Sequence, residues 1–564
     1  MVGDYAMNID KLDLATIIVL SVVFFSIAVW NLGLTSVPLS TWTPSKDESF
    51  YIDFGSSKNI SAVYFLLKGG EIDVRVYTGS PEKWSGGRSV SLSGYYCWRR
   101  IDLNCETRFV RFLFTSSNGE IAEIAALSKM GEKIVIDNIR SEKNEDESLA
   151  NLIDEQEKVE CPPTYVSETY FDEIYYVRAA EDYINFREPY EWTHPPLGKL
   201  IITASILIFG YNPFGWRIMG VIFATLMIPV IYIFGKNLFG TRIGAFTSAF
   251  LLMFDFMHFT MGRIATVDTY VVFFSLTSHF FFFIYLQNLL KRGWKTSTLP
   301  LFLAVLFFAF GFSTKWYALY GFIGQIFILL LLRIRDVVAI NDDWVMRVKT
   351  FCSHPLSKFL AFLVVAAVIY LLTFVPHLLM GRTLMDVYNL QISMYAYHSK
   401  LTATHPFSSP WWAWPIIWSP WHRVPVWFYV SYLPGDMVST IVSLGNPAVW
   451  WVGLVSTISL IEETIRKRDN TCGFVVTIFL FQWLPYAFIS RCLFLYHFYI
   501  NVPLMILATA YFLNKAWGFR WGKTLWIGYL IVVAVLFALF YPVISGSPTP
   551  RWWRDHLRWF NWWF

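Results

Sequence analysis

Charge is scarce in this sequence. Asp, Glu, Lys and Arg supply 15% of its 564 residues, where soluble domains carry nearer a quarter. A water-soluble enzyme with a polar exterior is thereby excluded. Net charge is only +4, so nothing points to nucleic acid. Cysteine is sparse too, six in all, and no pair has metal-site spacing, so no metal is predicted. Cys97 and Cys105, eight apart across an expected turn, read as a disulfide if that region faces an oxidising compartment, with two buried thiols as the alternative. Cys161, Cys352, Cys472 and Cys492 read as unpaired. No internal repeat of the transporter kind is found.

Apolar residues are abundant, at 55%. A span needs roughly 20 mostly apolar residues, and about eleven such stretches are present. They lie near 14–34, 217–235, 241–257, 266–290, 299–314, 316–334, 358–379, 443–463, 472–489, 496–513 and 524–543. With the N-terminus inside, every second short loop is basic: Lys236 and Arg242; Lys291, Arg292 and Lys295; Arg333, Arg335, Arg347 and Lys349; Arg466, Lys467 and Arg468; Lys515, Arg520 and Lys523. Residues 35–216 and 380–442 then lie outside, as does the C-terminus. Stretch 197–210 is about fourteen residues, a helix of roughly 21 Å, too short for a core of about 30 Å. It is expected in the outer interface. The first span carries no cleavage-site pattern and reads as a retained anchor.

The chain divides accordingly. Residues 1–36 hold a cytoplasmic N-terminus and the first span. Residues 37–135 carry short alternating runs separated by Gly and Ser turns, the pattern of an outer β-sandwich. The sequon Asn59-Ile60-Ser61 falls within it. A charged linker is expected over 136–164 and a catalytic outer loop with interfacial helices over 165–216. Spans two to seven occupy 217–379, an outer aromatic loop 380–442, spans eight to eleven 443–543, and an outer interfacial tail 544–564.

The chemistry gathers at the outer mouth. Asp172 and Glu173 precede a helix-spaced stretch, where capping is the bland reading. EWTHPPLGK at 191–199 is a proline-fixed turn carrying His194 and Lys199. Arg217, Arg263, Asp268, Lys315, Arg491, Tyr496 and His497 fall at span ends on the same side. Basic residues in excess there break the positive-inside trend, and a bound lipid phosphate would explain them. The spacing over 386–398 predicts an interfacial helix bearing Tyr395. After it, His405, Trp411 and Trp414 form an aromatic shelf suited to a headgroup, sugar or isoprenoid.

Several motifs then carry a resemblance: FDE at 171–173, HPPLGK at 194–199, Arg217, GRIATVD at 262–268, THPFSSPWWAWP at 404–415, GNPAVWWVG at 445–453 and RCLFLYHFYINVP at 491–503. The chain resembles the dolichyl-phosphate-mannose–protein mannosyltransferases, the protein O-mannosyltransferase family of the GT-C glycosyltransferases, in a prokaryotic or archaeal form. It departs from the commoner pattern by the inserted β-domain, which is similar to jelly-rolls of the discoidin or galactose-binding kind. It also lacks trefoil repeats in the later outer loop.

The resemblance implies a polytopic helical membrane enzyme of GT-C type. It implies inverting transfer of mannose from a polyprenyl (dolichyl) phosphate to Ser or Thr of secreted or membrane proteins. Asp172 is then the base, with Glu173 positioning base or acceptor, and Lys199, Arg217 and Arg263 meeting the leaving phosphate. His194, Asp268, Tyr395, His405, Trp411, Trp414, Arg491 and His497 are substrate-binding candidates. A divalent cation (Mg or Mn) is compatible, though no spacing demands one. The main alternative is a related transferase with a lipid or glycan acceptor; a transporter or a receptor fits less of the pattern. The β-domain is expected to handle the acceptor or dock on the core, without catalytic residues.

Overall fold

A computed structural model describes residues 9–142, 147–340, 344–353 and 355–563. The first helix, α1 (Lys11–Val29), starts at Asp10, whose carboxylate accepts the Leu12 and Asp13 N–H groups. Its buried residues, Asp13, Ile17, Leu20, Phe24 and Ala28, recur at three to four positions. It therefore packs by one stripe and stands at the rim of the bundle.

The β-rich insert follows. It comprises β1 (Ser49–Ser80), β2 (Lys83–Ser128), β3 (Lys133–Ile134) and β4 (Asn138–Ser141), in one antiparallel sheet ordered β3-β2-β1-β4. β2 flanks β1 twice: Ala62 pairs with both Asp102 and Leu127, and Val76 with both Arg88 and Phe112. Two-residue alternation splits the side chains between faces. Val63, Phe65, Leu67, Ile72, Val74, Phe112 and Phe114 form the insert's own core. Ala62, Tyr64, Leu66, Tyr96 and Trp98 turn the other way, into a cluster shared with Tyr176, Ile202 and Trp216. The insert is thus docked on the membrane part by a buried apolar face. Its pairing does not close into a jelly-roll barrel among the described residues.

Two further expectations meet the structure here. Cys97 and Cys105 are both free thiols. They sit on one extended strand, opposite Leu67 and Ile60. Seven strand positions are roughly 23 Å, against a Cα separation under about 7 Å for a disulfide. The charged stretch beyond β4 lies against the sheet: Leu149 and Leu152 enter the insert's core, and the Gln156 amide donates to Glu123 at 2.7 Å.

The rest is helical. In order come α2 (Glu173–Ile184), α3 (Leu197–Phe209), α4 (Pro213–Phe239), α5 (Arg242–Met253), α6 (Phe256–Gly262), α7 (Asp268–Arg292), α8 (Leu299–Phe312) and α9 (Ala318–Val338). Next are α10 (Trp344–Phe351), α11 (Leu356–Leu372), α12 (Val375–Leu379) and α13 (Leu384–Lys400). A hairpin, β5 (Val426–Leu433) and β6 (Met437–Ser443), precedes α14 (Pro447–Lys467), α15 (Asn470–Trp483), α16 (Val502–Ala516), α17 (Gly522–Ser545), β7 (Thr549–Pro550) and α18 (Arg551–His556).

Among the described residues, eight helices are long and apolar enough to cross a membrane, or nine if α5 and α6, bent by 58°, form one span. The expected eleven are not reached. Stretch 241–257 breaks at Asp255, whose carboxylate caps α6 through the His258 N–H at 3.0 Å. Stretch 299–314 yields the 14 residues of α8, again roughly 21 Å of helix. α3, at 13 residues, is also too short to span. Antiparallel neighbours bring the start of α7, the α8–α9 junction and the segment after α15 to one end of the bundle. The start of α2 and the turn before α3 pack at that same end.

Candidate active site

The FDE motif sits where the extended segment before α2 turns into the helix. Phe171 makes that turn with φ of 50°, a left-handed conformation unusual for a side chain of this size. Its ring stacks on Phe428 at 4.3 Å and meets Tyr496 at 5.9 Å, which holds it there. Asp172 occupies the N-cap position, yet its side chain makes no capping bond. It is half-buried. Burial pushes its carboxyl up to about 7; Lys315 opposes this, while Asp268 and Glu191 add to it.

Glu173, one residue on, has the opposite fate. It is fully buried and paired with Arg217, whose Nε donates to Oε1 and Nη2 to Oε2, both at 2.8 Å. The backbone N–H groups of Ala265 and Tyr170 also donate to it. The remaining Arg217 donors go to carbonyls: Leu32 and Tyr165 at 2.9 Å and Glu168 at 2.7 Å. All five N–H groups of the guanidinium are engaged, so none is left for a phosphate.

The other two expected phosphate ligands are engaged in the same way. Lys199 is 1% exposed and gives its three protons to the Glu191 carbonyl, the Glu191 carboxylate and the His194 carbonyl. It locks the HPPLGK turn. Arg263 donates to the carbonyls of Ala28, Trp30, Asn31 and Ser545, tying the end of α1 to the end of α17. All three are struts.

The cations that remain at the mouth are Lys315 and Arg491. Lys315, between α8 and α9, donates to both oxygens of Asp268 at 2.9 and 3.0 Å, and the Tyr317 hydroxyl donates to the same carboxylate at 3.1 Å. Arg491 has no carboxylate partner among the ion pairs of the described residues. Its Nη1 lies 3.0 Å from Nδ1 of His398. Nε2 of His398 lies 2.8 Å from the Thr193 carbonyl, which makes Nε2 the N–H and leaves Nδ1 to accept from Arg491. Burial lowers the His398 pKa to about 4, helped by His194 and Arg491, so the ring is neutral and orients the guanidinium.

His194 stands beside this pair, its ring 5.1 Å from that of His398. Its Nδ1 donates to Glu191 at 2.9 Å. Burial would raise the Glu191 carboxyl, but Lys199 and His194 outweigh it and hold the group well below the ordinary range. His497 stacks on Tyr496 at 4.8 Å and on Trp414 at 6.2 Å. Trp414 is fully buried, its indole N–H on Ser409, and so supports the site from behind.

Three expected residues are not brought in. Tyr395 is 68% exposed on α13, next to the fully buried Met394. His405 packs on Phe494, and Trp411 on Trp483, each at 5.1 Å. Glu191 and His398 were missed. Glu191 was legible as the acid three positions before His194 in an otherwise apolar turn; a lone His on α13 carried no local signal. No cluster of three or more His, Cys, Asp or Glu able to hold a metal occurs among the described residues.

The fold is similar to that of the Saccharomyces cerevisiae protein O-mannosyltransferase Pmt1-Pmt2 complex bound to the sugar donor. The TM-score is 0.57, with 11% identity, over 70% of this chain and 89% of that one. This likeness shows the fold: a polytopic helical bundle with the charged mouth at one end. The family model for dolichyl-phosphate-mannose-protein mannosyltransferase matches residues 208–380, and that for the C-terminal four TMM region of protein-O-mannosyltransferase matches residues 383–563. The chain belongs to the protein O-mannosyltransferase family. Relatives named polyprenol-phosphate-mannose–protein mannosyltransferase occur in Mycolicibacterium smegmatis, 23% identical over 426 residues (63% of this chain, 78% of that protein). Another, in Corynebacterium glutamicum, is 24% identical over 432 residues (66% and 81%).

Arg217 as a strut gives a clear expectation. Arg217→Ala leaves the Glu173 carboxylate buried and unpaired, at a cost of about 3–5 kcal/mol. The unfolding temperature of purified protein in detergent should fall sharply with no donor lipid present. A variant that melts like wild type and loses only donor affinity would return Arg217 to the phosphate.

Proposed function

We propose that the chain transfers mannose, with inversion, from a polyprenyl-phosphate donor to a Ser or Thr hydroxyl of a protein, with Asp172 as the base. Family membership supports the reaction class. The observation that carries the assignment is Asp172 itself: a carboxylate at the mouth, uncapped and raised to about 7 by burial, beside a neighbour that is fully engaged in structure.

The geometry supports the following chemistry. Asp172 takes the hydroxyl proton as the acceptor oxygen attacks C1 of mannose. The bond from C1 to the phosphate oxygen breaks, and the electron pair leaves with polyprenyl phosphate. A phosphate leaving group needs its charge met more than it needs an acid. Arg491, oriented by His398, meets that charge, and Lys315 adds to the positive field while holding Asp268. His194, His497 and Tyr496 line the sugar side. The basic ends of α7, α9 and α14 lie away from this mouth, which favours an extracytoplasmic active site and a cytoplasmic N-terminus.

Asp172→Asn should abolish mannosyl transfer to a Ser/Thr peptide with unchanged melting temperature. In the wild type, kcat/KM should fall about tenfold per pH unit below about pH 7, because protonated Asp172 cannot accept the hydroxyl proton. A flat profile down to pH 5, or an active Asn variant, would place the base elsewhere. Arg491→Ala should lower kcat/KM for the donor by about 100-fold without the loss of melting temperature expected of Arg217→Ala; equal donor kinetics in variant and wild type would remove Arg491 from the phosphate.

A further inference from the structure

A cavity of about 560 Å³ lies beside the FDE segment. Its walls come from three parts of the chain: Trp98, Arg99 and Arg100 of β2; Glu168 to Phe171; and Phe428 to Tyr432 of β5. We infer that this cavity is the groove in which the acceptor polypeptide lies extended, its Ser or Thr delivered past Phe171 to Asp172. The inference rests on the protein-directed transfer proposed above.

Both long walls are strand edges. β5 is the outer strand of the β5-β6-β7 sheet. Residues 97–100 pair with Leu67 to Tyr64 along their inner side. An edge offers alternating N–H and C=O groups that recognise extended backbone whatever its sequence. The edge of β2 is already used in this way by the chain itself. The Thr169 N–H donates to the Tyr96 carbonyl at 2.9 Å, and the Trp98 N–H donates to the Glu168 carboxylate at 2.8 Å. By two-residue alternation the next outward backbone groups are those of Arg100, at the open end of the groove.

The lining is built for a polar guest. Trp98, 6% exposed, forms part of the β2 wall. Glu168 is 8% exposed, and burial pushes its carboxyl up to about 7, so near neutrality it can donate as well as accept. Arg99 gives one wall a positive field that favours acidic residues flanking the acceptor hydroxyl, while Arg100 beside it is paired with Asp102 at 2.7 Å. The inner end is closed by Phe171 and Ile174, which bracket Asp172 in sequence. The docked insert thus supplies half of a groove that the helical bundle lacks, without contributing to the mouth.

The test uses the full-length protein in detergent and a long Ser/Thr peptide bearing a benzophenone and acidic flanks. Crosslinks mapped by mass spectrometry should fall on 97–100 and 428–432. They should be displaced by unlabelled peptide and lost in Arg99→Glu/Arg100→Glu or, should that pair fold poorly, in Val430→Glu. Saturable crosslinks elsewhere, or none, overturn the groove. Kinetically, the charge-reversal pair should raise KM for the acidic peptide about tenfold and leave KM for the donor lipid in place; equal changes in both would also overturn it. The map is read without transfer. Crosslinks in the groove with no mannose transferred to any peptide would sink the proposed reaction and leave the groove standing.

Discussion

The buried pair of Glu173 and Arg217 is the interaction on which the mouth end of the molecule depends. Through it, the carbonyl at the end of α1 (Leu32), two carbonyls of the segment before α2 (Tyr165 and Glu168), the loop before α7 (Ala265) and the start of α4 are held at one point. Charges so far from water cost several kcal/mol each unless every donor and acceptor is met. Here every Arg217 proton has a partner. The result is less a gain in stability than a fixed geometry: the pair specifies how the FDE segment leaves the insert and enters α2.

That geometry separates two adjacent carboxylates. Glu173 faces inward to a guanidinium and two N–H groups. Asp172, turned away by the left-handed Phe171, receives neither a cap nor a cation at contact distance, and burial alone dominates its titration. Two acids side by side in sequence therefore differ because one is compensated and the other is not. The same logic separates the cations. Lys199, Arg217 and Arg263 are bound by carbonyls and carboxylates of their own chain, whereas Arg491 leans on a neutral histidine.

Much of this was legible in the sequence. Apolar runs gave the bundle, two-residue alternation gave the insert, and the spacing over 386–398 gave α13. Asp172 and Glu173 read alone as helix-capping acids, and the choice of Asp172 as base rests on the family resemblance. What was not legible is which charges face ligand and which face backbone. A lysine or arginine at a span end looks the same whether it meets a phosphate or three carbonyls, and only the tertiary path of α1, α17 and the HPPLGK turn decides. The bend at Asp255 was hidden because a capping carboxylate inside an apolar run reads as a tolerated polar residue. The β5–β6 hairpin was hidden for a related reason. Its turn, Pro434-Gly435-Asp436, has Gly435 and Asp436 both at positive φ, a hairpin signal, but it lay in a loop already assigned to the interface. The disulfide failed because seven strand positions separate thiols that a turn would have joined.

The proposed reaction also accounts for how so few cations suffice. A mannosyl phosphodiester carries one negative charge, and ionised Asp172 carries another. After transfer, Asp172 holds the proton and is neutral, while the released polyprenyl phosphate is a monoester whose second pKa is about 6. Its charge approaches two. The mouth thus begins and ends near the same total, with one unit moved from carboxylate to phosphate. In a desolvated site, moving charge between fixed partners costs far less than creating it. A base with a pKa of about 7 is well matched to this exchange, since it gains the proton at the pH where the monoester can lose its own. A carboxylate compensated as Glu173 is would stay ionised, leaving the mouth to absorb an additional negative charge as the phosphate departs. The division between Asp172 and Glu173 is in this sense what allows Arg491, with Lys315 behind it, to serve where three further cations have been drawn into the frame.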